Sequence, residues 1–462
     1  MKPKYFLALG LLVLGLGSCG ESFFEQYPSN DITEGNFYKT DDDFNQGVVA
    51  CYAKLKTQMS FHLTEIGYRG DENVLESMAV STQNRYDIDH FAETANNGIL
   101  NDIWNAWYNG IYRCNDVLDH MTGAKIANYD KYRGECLFLR SWWYFNLYRV
   151  FGVVPITRTV VTPAAAKLIP RCTEEEMYTL LTEDLAEAAR LLPPTPGPEK
   201  ARVANIAAYT LLAKVYLTFG KPAEAKTALE EEMKNTSYGL ESTTKKVFDV
   251  GNKMNREIIF ALYYNKTNDN GHGYWYSANT DVLADINNPT PTFKAIYDSE
   301  KDNRLPLISS YTKIKDNLFA MTKWYDTYDA TYTTQVGNDF PHLRYADVVL
   351  MYAEALAESG GSLGDALEWL NKTRTRAGLD ELTTDEVKSL AEFRRELAAE
   401  RGREFALEGH RWFDLVRLGL AVDYFREMGY SLDSHNLIFP IPQNQIEIVN
   451  NPSILWQNPG FN

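Results

Sequence analysis

Four glutamates in the C-terminal part of the chain are the residues best suited to acid–base chemistry. Glu396, Glu400, Glu404 and Glu408 recur every four residues, with arginines between them. A glycosidase needs two carboxyls about 5 Å, or about 6.5 to 9.5 Å, apart across a cleft that admits a sugar. Regular spacing along one helix gives a charged face without such a cleft, and arginine is a natural bidentate partner for carboxylates. The pattern therefore predicts ion pairing and contacts between helices.

His410 belongs to the same stretch and lies close in sequence to Glu408, Arg411 and Asp414. A catalytic histidine of this kind activates a serine or cysteine nucleophile, and no motif here positions one. We therefore interpret His410 as a packed or capping side chain. The sequence also contains neither a P-loop nor a dinucleotide-binding fingerprint. We expect no catalytic residue, no metal site and no cofactor.

Ring stacking is the chemistry that the sequence supports better. Sugars present flat C–H faces and hydroxyl edges, which proteins bind with an aromatic ring under the face and polar side chains at the edge. Two clusters combine such groups: Tyr274, Trp275, Tyr276 and Asn279 in the first, and Trp324, Tyr325 and Tyr328 in the second. We predict that both clusters contact a ligand. The alternative is that these rings pack their segment onto the helices.

A third candidate segment for ligand binding comes before Trp104. Its polar side chains include Asp71, Arg85, Tyr86 and Asn97, which could bind the hydroxyl edges of a ligand. The segment itself contains no tryptophan. This absence of a large ring disfavours recognition of a starch-like helical glycan.

The elements that must position these residues show helical periodicity over most of the chain. Apolar residues recur at helical spacing in Asn101–Met121, Arg133–Phe151 and Met177–Leu192. Tyr209–Leu229 and Arg344–Leu370 have the cadence of tetratricopeptide helix pairs, with small residues where paired helices approach closely. The Arg133 and Met177 helices are expected to form a further pair, and Asn101–Met121 to belong to a fourth. We predict a mostly α fold with about four such pairs.

The chain between residues 235 and 343 differs from this pattern. It is dense in Tyr, Trp, Asn, Asp and Thr, contains β-like pieces such as Glu257–Tyr264, and keeps no helical period. We predict a loop-rich insertion with short β pieces that forms the ligand face. The other predicted regions are an N-terminal helical region over 41–234 and a C-terminal helical region with a tail over 344–462.

The beginning of the chain is typical of a bacterial secretory signal. A short basic start is followed by an apolar run that is too short to span a bilayer. Leu16-Gly17-Ser18-Cys19 then resembles a lipobox, whose cysteine is lipidated. We predict a signal peptide over 1–18, lipidation of Cys19, and an extended leader over 19–40. Acyl chains on Cys19 would anchor the protein to a membrane without crossing it. The alternative is an ordinary signal peptide with an incidental cysteine.

Composition and cysteine usage exclude several classes of partner. The chain has 62 acidic and 46 basic side chains, a net charge of −16, which disfavours nucleic acid and anionic lipid headgroups as partners. An apolar content of 45% is sufficient for a large core. Cys51, Cys114, Cys136 and Cys172 contain no CxxC pair, so a structural zinc site has no support. Buried free thiols fit these positions at least as well as disulfides.

Several longer strings follow one another in a recognisable order. They are Gly134–Arg140, Phe151-Gly152 with Pro155, Arg344–Ala355, Leu370–Gly378, Glu400–Phe405, Glu408–Leu415 with Arg417, Phe439–Pro442 and Gln457–Phe461. Together they resemble the SusD/RagB family of Bacteroidetes outer-membrane nutrient-binding lipoproteins. The likeness spans nearly all of the chain that follows the signal.

The resemblance implies a helical, lipid-anchored protein without catalytic activity at the surface of the outer membrane. Its partners would be an oligosaccharide ligand and a SusC-like TonB-dependent transporter, which the tetratricopeptide side would face. The irregular insertion would form the ligand face, and the loop before Asn101 commonly contributes to it in this family. Our hypothesis is a glycan-binding protein that delivers nutrient to the transporter. The alternatives are binding of peptides or other nutrients on the same scaffold, a surface glycoside hydrolase, and a lid that does not contact cargo.

Overall fold

The computed structural model describes residues 37–72, 83–265, 272–273, 277–279, 289–315, 318–326 and 335–461. The predicted signal and lipidation site Cys19, and all of the leader except its last four residues, lie outside this part of the chain. Four of the predicted ligand-binding residues also lie outside it: Tyr274, Trp275, Tyr276 and Tyr328.

The first half of the chain forms three pairs of long helices. Its helices are α1 (Asp41–Ile66), α2 (Gln83–Asp89), α3 (Gly98–Met121), α4 (Tyr129–Phe151), α5 (Pro163–Ala166), α6 (Glu174–Leu191), α7 (Asn205–Thr218), α8 (Pro222–Glu232) and α9 (Thr244–Val247). Helix α1 packs on α3, α4 on α6, and α7 on α8. Successive pairs meet where α3 packs on α4 and where α6 packs on α7.

Local sequence explains where these helices begin, end and touch. Thr173 and Glu176 form a capping box at the start of α6, in which each side chain accepts the backbone N–H of the other residue. Gly152 ends α4 with a φ of 72°, which favours glycine. Gly110 in α3 lies directly against the ring of Trp143 in α4, so these two helices approach closely.

The insertion contains short strands and short helices. They are β1 (Ile258–Leu262), β2 (His272–Gly273), β3 (Ser277–Asn279), α10 (Pro291–Lys294), α11 (Leu305–Ser309), β4 (Tyr311–Lys315), β5 (Leu318–Met321), β6 (Gln335–Val336) and β7 (Phe340–Arg344). All pairings are antiparallel: β1 with β7, β2 with β6, and β5 between β3 and β4. The predicted boundary at 343/344 falls at the end of β7, whose partner strand lies inside the insertion.

The C-terminal part adds the fourth helix pair and closes the core. Its helices are α12 (Tyr345–Glu358), α13 (Leu363–Ala377), α14 (Leu390–Glu404), α15 (Arg411–Arg417), α16 (Ala421–Glu427) and α17 (Gln443–Val449). Helix α12 packs on α13 and also on α8, so the four pairs form one continuous stack. The glutamate series does not share one helix, because α14 ends at Glu404 and Glu408 lies in the following turn.

The predicted fold class is confirmed, since the described chain is mostly helical, contains four helix pairs and carries short strands in the insertion. Cys51, Cys114, Cys136 and Cys172 are all buried and free, which agrees with buried thiols. Within the described ranges, no helix combines the length and the apolar character that crossing a bilayer requires.

Candidate functional site

Strand pairing joins the described residues that flank the two predicted aromatic segments. In β3, Ser277 lies opposite Ala320 and Asn279 lies opposite Leu318 of β5, and Trp324 is the third residue after β5. In β2, Gly273 lies opposite Gln335 of β6. Residues 274–276 therefore connect the same two sheets as residues 322–334. The two segments are far apart in sequence, yet both begin and end at these paired strands.

Trp324 itself does not present a ring to a ligand, which corrects the prediction for this residue. Its side chain is 3% exposed and stacks on Phe340, with ring centroids 5.3 Å apart and an interplanar angle of 9°. Phe248 meets it edge-on at 5.0 Å. Both neighbours occupy positions that a sugar would need, so the role of Trp324 is to pack the insertion onto the helices.

The Trp324 stack continues into the helical core. Phe340 contacts His342 at 5.4 Å, and His342 in turn contacts Trp142 of α4 at 5.0 Å. Phe260 of β1 packs on Trp142 at 5.5 Å. Burial lowers the pKa of His342 to about 3, so its imidazole is neutral and can pack between these rings. A continuous aromatic column thus joins the insertion to α4.

The residues next to Trp324 hold the base of the second cluster. The Lys323 Nζ is buried and donates to Glu408 Oε1 at 2.8 Å. The Asp326 carboxylate accepts the backbone N–H of Gly337 at 3.0 Å, which ties the two ends of the 327–334 segment together. Tyr325, between them, is half-buried. Of this predicted cluster, Tyr325 is the residue that the structure describes as partly open to solvent.

The third predicted segment divides into structural and accessible residues. Asp71 is buried and accepts from Arg411 Nε at 2.9 Å and from Thr290 through its backbone carbonyl. Asn97 is buried as the N-cap of α3, where its side chain accepts the N–H of Ile99 at 3.0 Å. A direct ligand contact by Asp71 or Asn97 is therefore corrected to a structural role.

Arg85 and Tyr86 lie on α2 and remain partly exposed. The Tyr86 ring stacks on His90, with centroids 3.8 Å apart and an interplanar angle of 17°. Tyr86 as a whole is half-buried in this arrangement. Among the described candidates, Arg85, Tyr86 and Tyr325 thus keep surface available for a ligand, and Asn279 is placed in β3 by its backbone.

A buried ion-pair cluster fastens the insertion to α14. Glu404 accepts from Arg344 Nη1 at 2.6 Å and from Arg304 Nη1 at 3.0 Å. Arg344 also binds Glu408 at 2.8 Å and Glu257 at 2.7 Å. We define the ion-pair cluster as five acidic and five basic residues: Glu257, Asp302, Glu400, Glu404 and Glu408 with Arg304, Lys323, Arg344, Arg376 and Arg403. Arg374 reaches its edge, 4.0 Å from Glu400.

The electrostatics of this cluster explain why so many charges can be buried. Burial alone would raise the pKa of Glu404, but Arg376, Arg344 and Arg304 lower it well below its usual range. Glu400 is shifted in the same direction by Arg304 and Arg403. Because Glu400 and Glu404 are both 0% exposed and held by arginines, no substrate can reach them. Their predicted role in ion pairing is confirmed.

His410 is also a packed residue, as predicted. Its ring stacks on Phe405 with centroids 4.6 Å apart and an interplanar angle of 16°. Burial and the nearby Lys214 lower its pKa well below the ordinary value. Within the described residues, no group of three or more His, Cys, Asp or Glu side chains is arranged to hold a metal ion.

Sequence reasoning did not identify the charged residues that the insertion itself contributes to the ion-pair cluster. Glu257, Arg304 and Lys323 come from different parts of the insertion and meet only in the folded chain. A signal was nevertheless present for Glu257, because it directly precedes the apolar run Ile258–Leu262. An isolated charge beside a buried strand needs a buried partner.

Comparison with known proteins relates this architecture to one family. Residues 302–461 match the model of the SusD family, and residues 25–217 match a model described as starch-binding and associating with the outer membrane. In sequence the chain is similar to SusD-like protein P2 of Formosa agariphila, with 26% identity over 99% of this chain and 100% of that protein.

Two solved structures share the fold. One is a SusD superfamily protein from Bacteroides vulgatus, with a TM-score of 0.78 and 23% identity over 92% of this chain and 100% of that chain. The other is surface glycan-binding protein A from Bacteroides thetaiotaomicron in complex with laminarihexaose, with a TM-score of 0.74 and 21% identity over 91% of this chain and 99% of that chain.

Proposed function

Because the chain belongs to the SusD family, as its motifs indicated, we propose that it binds an oligosaccharide outside the cell and passes it to a TonB-dependent transporter. The ligand would contact the rings of the insertion. The family is one of glycan-binding proteins, and one of its matched models is described as associating with the outer membrane.

The observation that supports this proposal is the pairing of the strands that flank the two aromatic segments. Pairing of β2 with β6 and of β3 with β5 gives residues 274–276 and 325–334 a common base. Tyr274, Trp275, Tyr276 and Tyr328 belong to these segments and would supply the faces on which sugar rings stack. Tyr325 would extend this surface.

Polar groups for the hydroxyl edges would come from two places. Asn279 lies at the end of β3, which follows the first aromatic segment. Arg85 and Tyr86 lie on α2, where they remain partly exposed. We expect weak binding, because a hydroxyl-rich ligand exchanges hydrogen bonds to water for hydrogen bonds to protein at little net gain.

The location of the protein forms part of the same proposal. Lipidation at Cys19 would anchor the chain to the outer membrane, with the leader to residue 40 between the anchor and α1. The stack of helix pairs would then contact the SusC-like transporter, and the insertion would remain free for cargo. A surface glycoside hydrolase is disfavoured, since Glu400 and Glu404 are enclosed by arginines.

Calorimetry with a panel of oligosaccharides, beginning with laminarihexaose, tests the glycan proposal. Trp275→Ala is expected to weaken binding by at least tenfold, because it removes a stacking face. Trp456→Ala is the matched control: this tryptophan is 40% exposed and lies in the C-terminal tail, and its loss should leave binding unchanged. Unchanged binding by both Trp275→Ala and Tyr276→Ala would overturn the site.

Trp324→Ala separates the two roles of aromatic residues in the insertion. Because its ring is buried against Phe340 and Phe248, this variant should lose about 3 to 5 kcal/mol of stability. The conservative Trp324→Phe should retain ligand affinity.

A peptide library run beside the glycan panel distinguishes sugar from other nutrients, and binding of peptides alone would contradict the glycan assignment.

A further inference from the structure

A cavity lies among the helices, away from the insertion. It has a volume of about 490 Å³ and is formed by the end of α4, by α7 and by α15, with Leu437 and Ile438 closing one side. None of its lining residues belongs to the region 235–343. This location makes it distinct from the proposed glycan face, and the inference below does not depend on that proposal.

Three of the cations around this cavity are paired with buried carboxylates. Lys214 pairs with Asp347 at 2.5 Å, and Arg401 bridges Asp347 at 2.8 Å and Asp414 at 2.7 Å. Arg417 pairs with Asp414 at 2.9 Å and also with Glu354. The three buried carboxylates are thus already shared by three cations.

Arg149 is the fourth cation of this group and has no carboxylate within 4 Å among the described residues. Its guanidinium lies 4.0 Å over the Phe413 ring and donates one hydrogen bond to the Asn146 side chain. The buried Nε of Arg149 has no hydrogen-bond acceptor. Burial lowers its pKa to about 9, so the group still carries its charge at neutral pH.

Arg149 is partly buried, and a cation held away from water without an anion is costly, because transfer of an unpaired charge from water into protein is strongly unfavourable. Glu174, the remaining carboxylate of the cavity wall, is exposed and accepts from the Tyr148 hydroxyl at 3.0 Å. It therefore does not neutralise Arg149. An anionic ligand in the cavity would therefore pair with the positive charge of Arg149.

His410 also lines this cavity. Its Nδ1 faces Arg401 Nη2 at 3.4 Å, and a guanidinium N–H can only donate. Nδ1 must therefore accept, which leaves the proton of the neutral imidazole on Nε2. Phe413, Val416, Leu437 and Ile438 provide apolar surface beside these polar groups.

From this arrangement we propose that the cavity binds the carboxylate of a small organic acid, with the carboxylate paired to Arg149 and the body of the ligand against the apolar wall. Bidentate pairing suits a guanidinium and a carboxylate in geometry as well as in charge. A free sugar acid and the C-terminal carboxylate of a peptide share this chemistry. They differ in the body that contacts Phe413 and Ile438.

Calorimetry on the intact wild-type protein tests the proposal without any substitution. Glucuronate is compared with glucuronamide, and N-acetyl-leucine with its amide. In at least one of these pairs the acid is expected to bind at least tenfold more tightly than the amide, because a charged hydrogen bond is lost with the carboxylate. Preference for glucuronate indicates a sugar acid, and preference for N-acetyl-leucine indicates a peptide terminus.

Arg149→Gln tests the residue itself and should reduce binding of the preferred acid by at least tenfold. Arg190→Gln, an exposed arginine at the end of α6, is the matched control and should leave it unchanged. Both variants should bind the glycan ligand as the wild type does, since the insertion is unaltered. The proposal is overturned if acid and amide bind equally, if neither acid binds at millimolar concentration, or if Arg149→Gln keeps full affinity.

Discussion

Replacing Glu404 by glutamine is the most direct test of how the insertion is held to the helices. Glu404 Oε1 accepts hydrogen bonds from Arg344 and Arg376, and its Oε2 accepts from Arg304 at 3.0 Å. A glutamine has one oxygen and one NH₂ group, and the NH₂ group cannot accept from an arginine. Either orientation of the amide therefore faces at least one arginine with a second donor, and the cluster keeps an extra positive charge.

The expected loss of stability follows from this geometry. Removing one member of a buried ion pair costs about 3 to 5 kcal/mol, because the remaining charge is buried without its partner. Since Glu404→Gln preserves the shape of the side chain and one of its oxygens, we expect a loss near the lower limit, about 3 kcal/mol. Glu231, paired with Lys234 at the surface, provides the control, and Glu231→Gln should cost less than about 0.5 kcal/mol.

Urea unfolding measures both changes, and a double variant tests the charge argument. Combining Glu404→Gln with Arg376→Met restores equal numbers of acidic and basic residues in the cluster. The loss for the double variant should then be smaller than the sum of the two single losses by at least about 1 kcal/mol. Additive losses, or a loss below about 1 kcal/mol for Glu404→Gln alone, would refute the reasoning.

Two further predictions concern packing and pH. Gly110→Ala should lower the free energy of unfolding by about 1 to 3 kcal/mol, because the new Cβ would lie 2.3 Å from the Trp143 ring. Gly67→Ala is the control: a Cβ at this position would have no atom within 4 Å, so the free energy of unfolding should change by less than about 0.5 kcal/mol. Burial raises the pKa of Glu72 to about 8, so the folded protein binds a proton that the unfolded chain has released, and stability should fall between about pH 4.5 and pH 8. Glu72→Gln keeps the oxygen that accepts from Leu407 N–H but cannot titrate. Across this range the wild type should therefore lose stability more steeply than the variant, by a difference that approaches ~1.4 kcal/mol per pH unit. Equal pH slopes of the free energy of unfolding would contradict the assignment.

The helical part of the fold could be predicted because its determinants are local. Apolar periodicity and the small residues of Tyr209–Leu229 and Arg344–Leu370 located the helix pairs that the structure contains. Strand pairing within the insertion could not be predicted in the same way, since β1 and β7 lie at opposite ends of the insertion and form no local pattern. The orientation of Trp324 depends on this pairing, which is why a ring in a polar segment proved to be buried.

The same reasoning limits what could be said of the charged residues. The spacing of Glu400, Glu404 and Glu408 predicted ion pairing but not the identity of the partners. Arg304 and Lys323 reach these glutamates from separate loops, so their role depends on tertiary contacts alone. Arg149 is a cation for which the sequence predicted no special role, because it lies in an apolar helix sequence. Only the folded structure shows that no carboxylate of the described chain lies within 4 Å of it.

The ion-pair cluster and the aromatic column together explain how an irregular insertion could recognise a weakly held ligand. The cluster fixes Glu257, Arg304 and Arg344 to the same end of α14, and the column fixes Trp324 to α4 through His342. Such fixed points reduce the conformational entropy that ligand binding costs, and this cost adds to the small net gain in hydrogen bonding that keeps sugar affinity low. Glu404→Gln should therefore weaken glycan binding and stability together, whereas Trp275→Ala should weaken binding and leave stability unchanged. Calorimetry and urea unfolding of both variants separate these outcomes, and full glycan affinity in a destabilised Glu404→Gln protein would show that the base does not contribute to recognition.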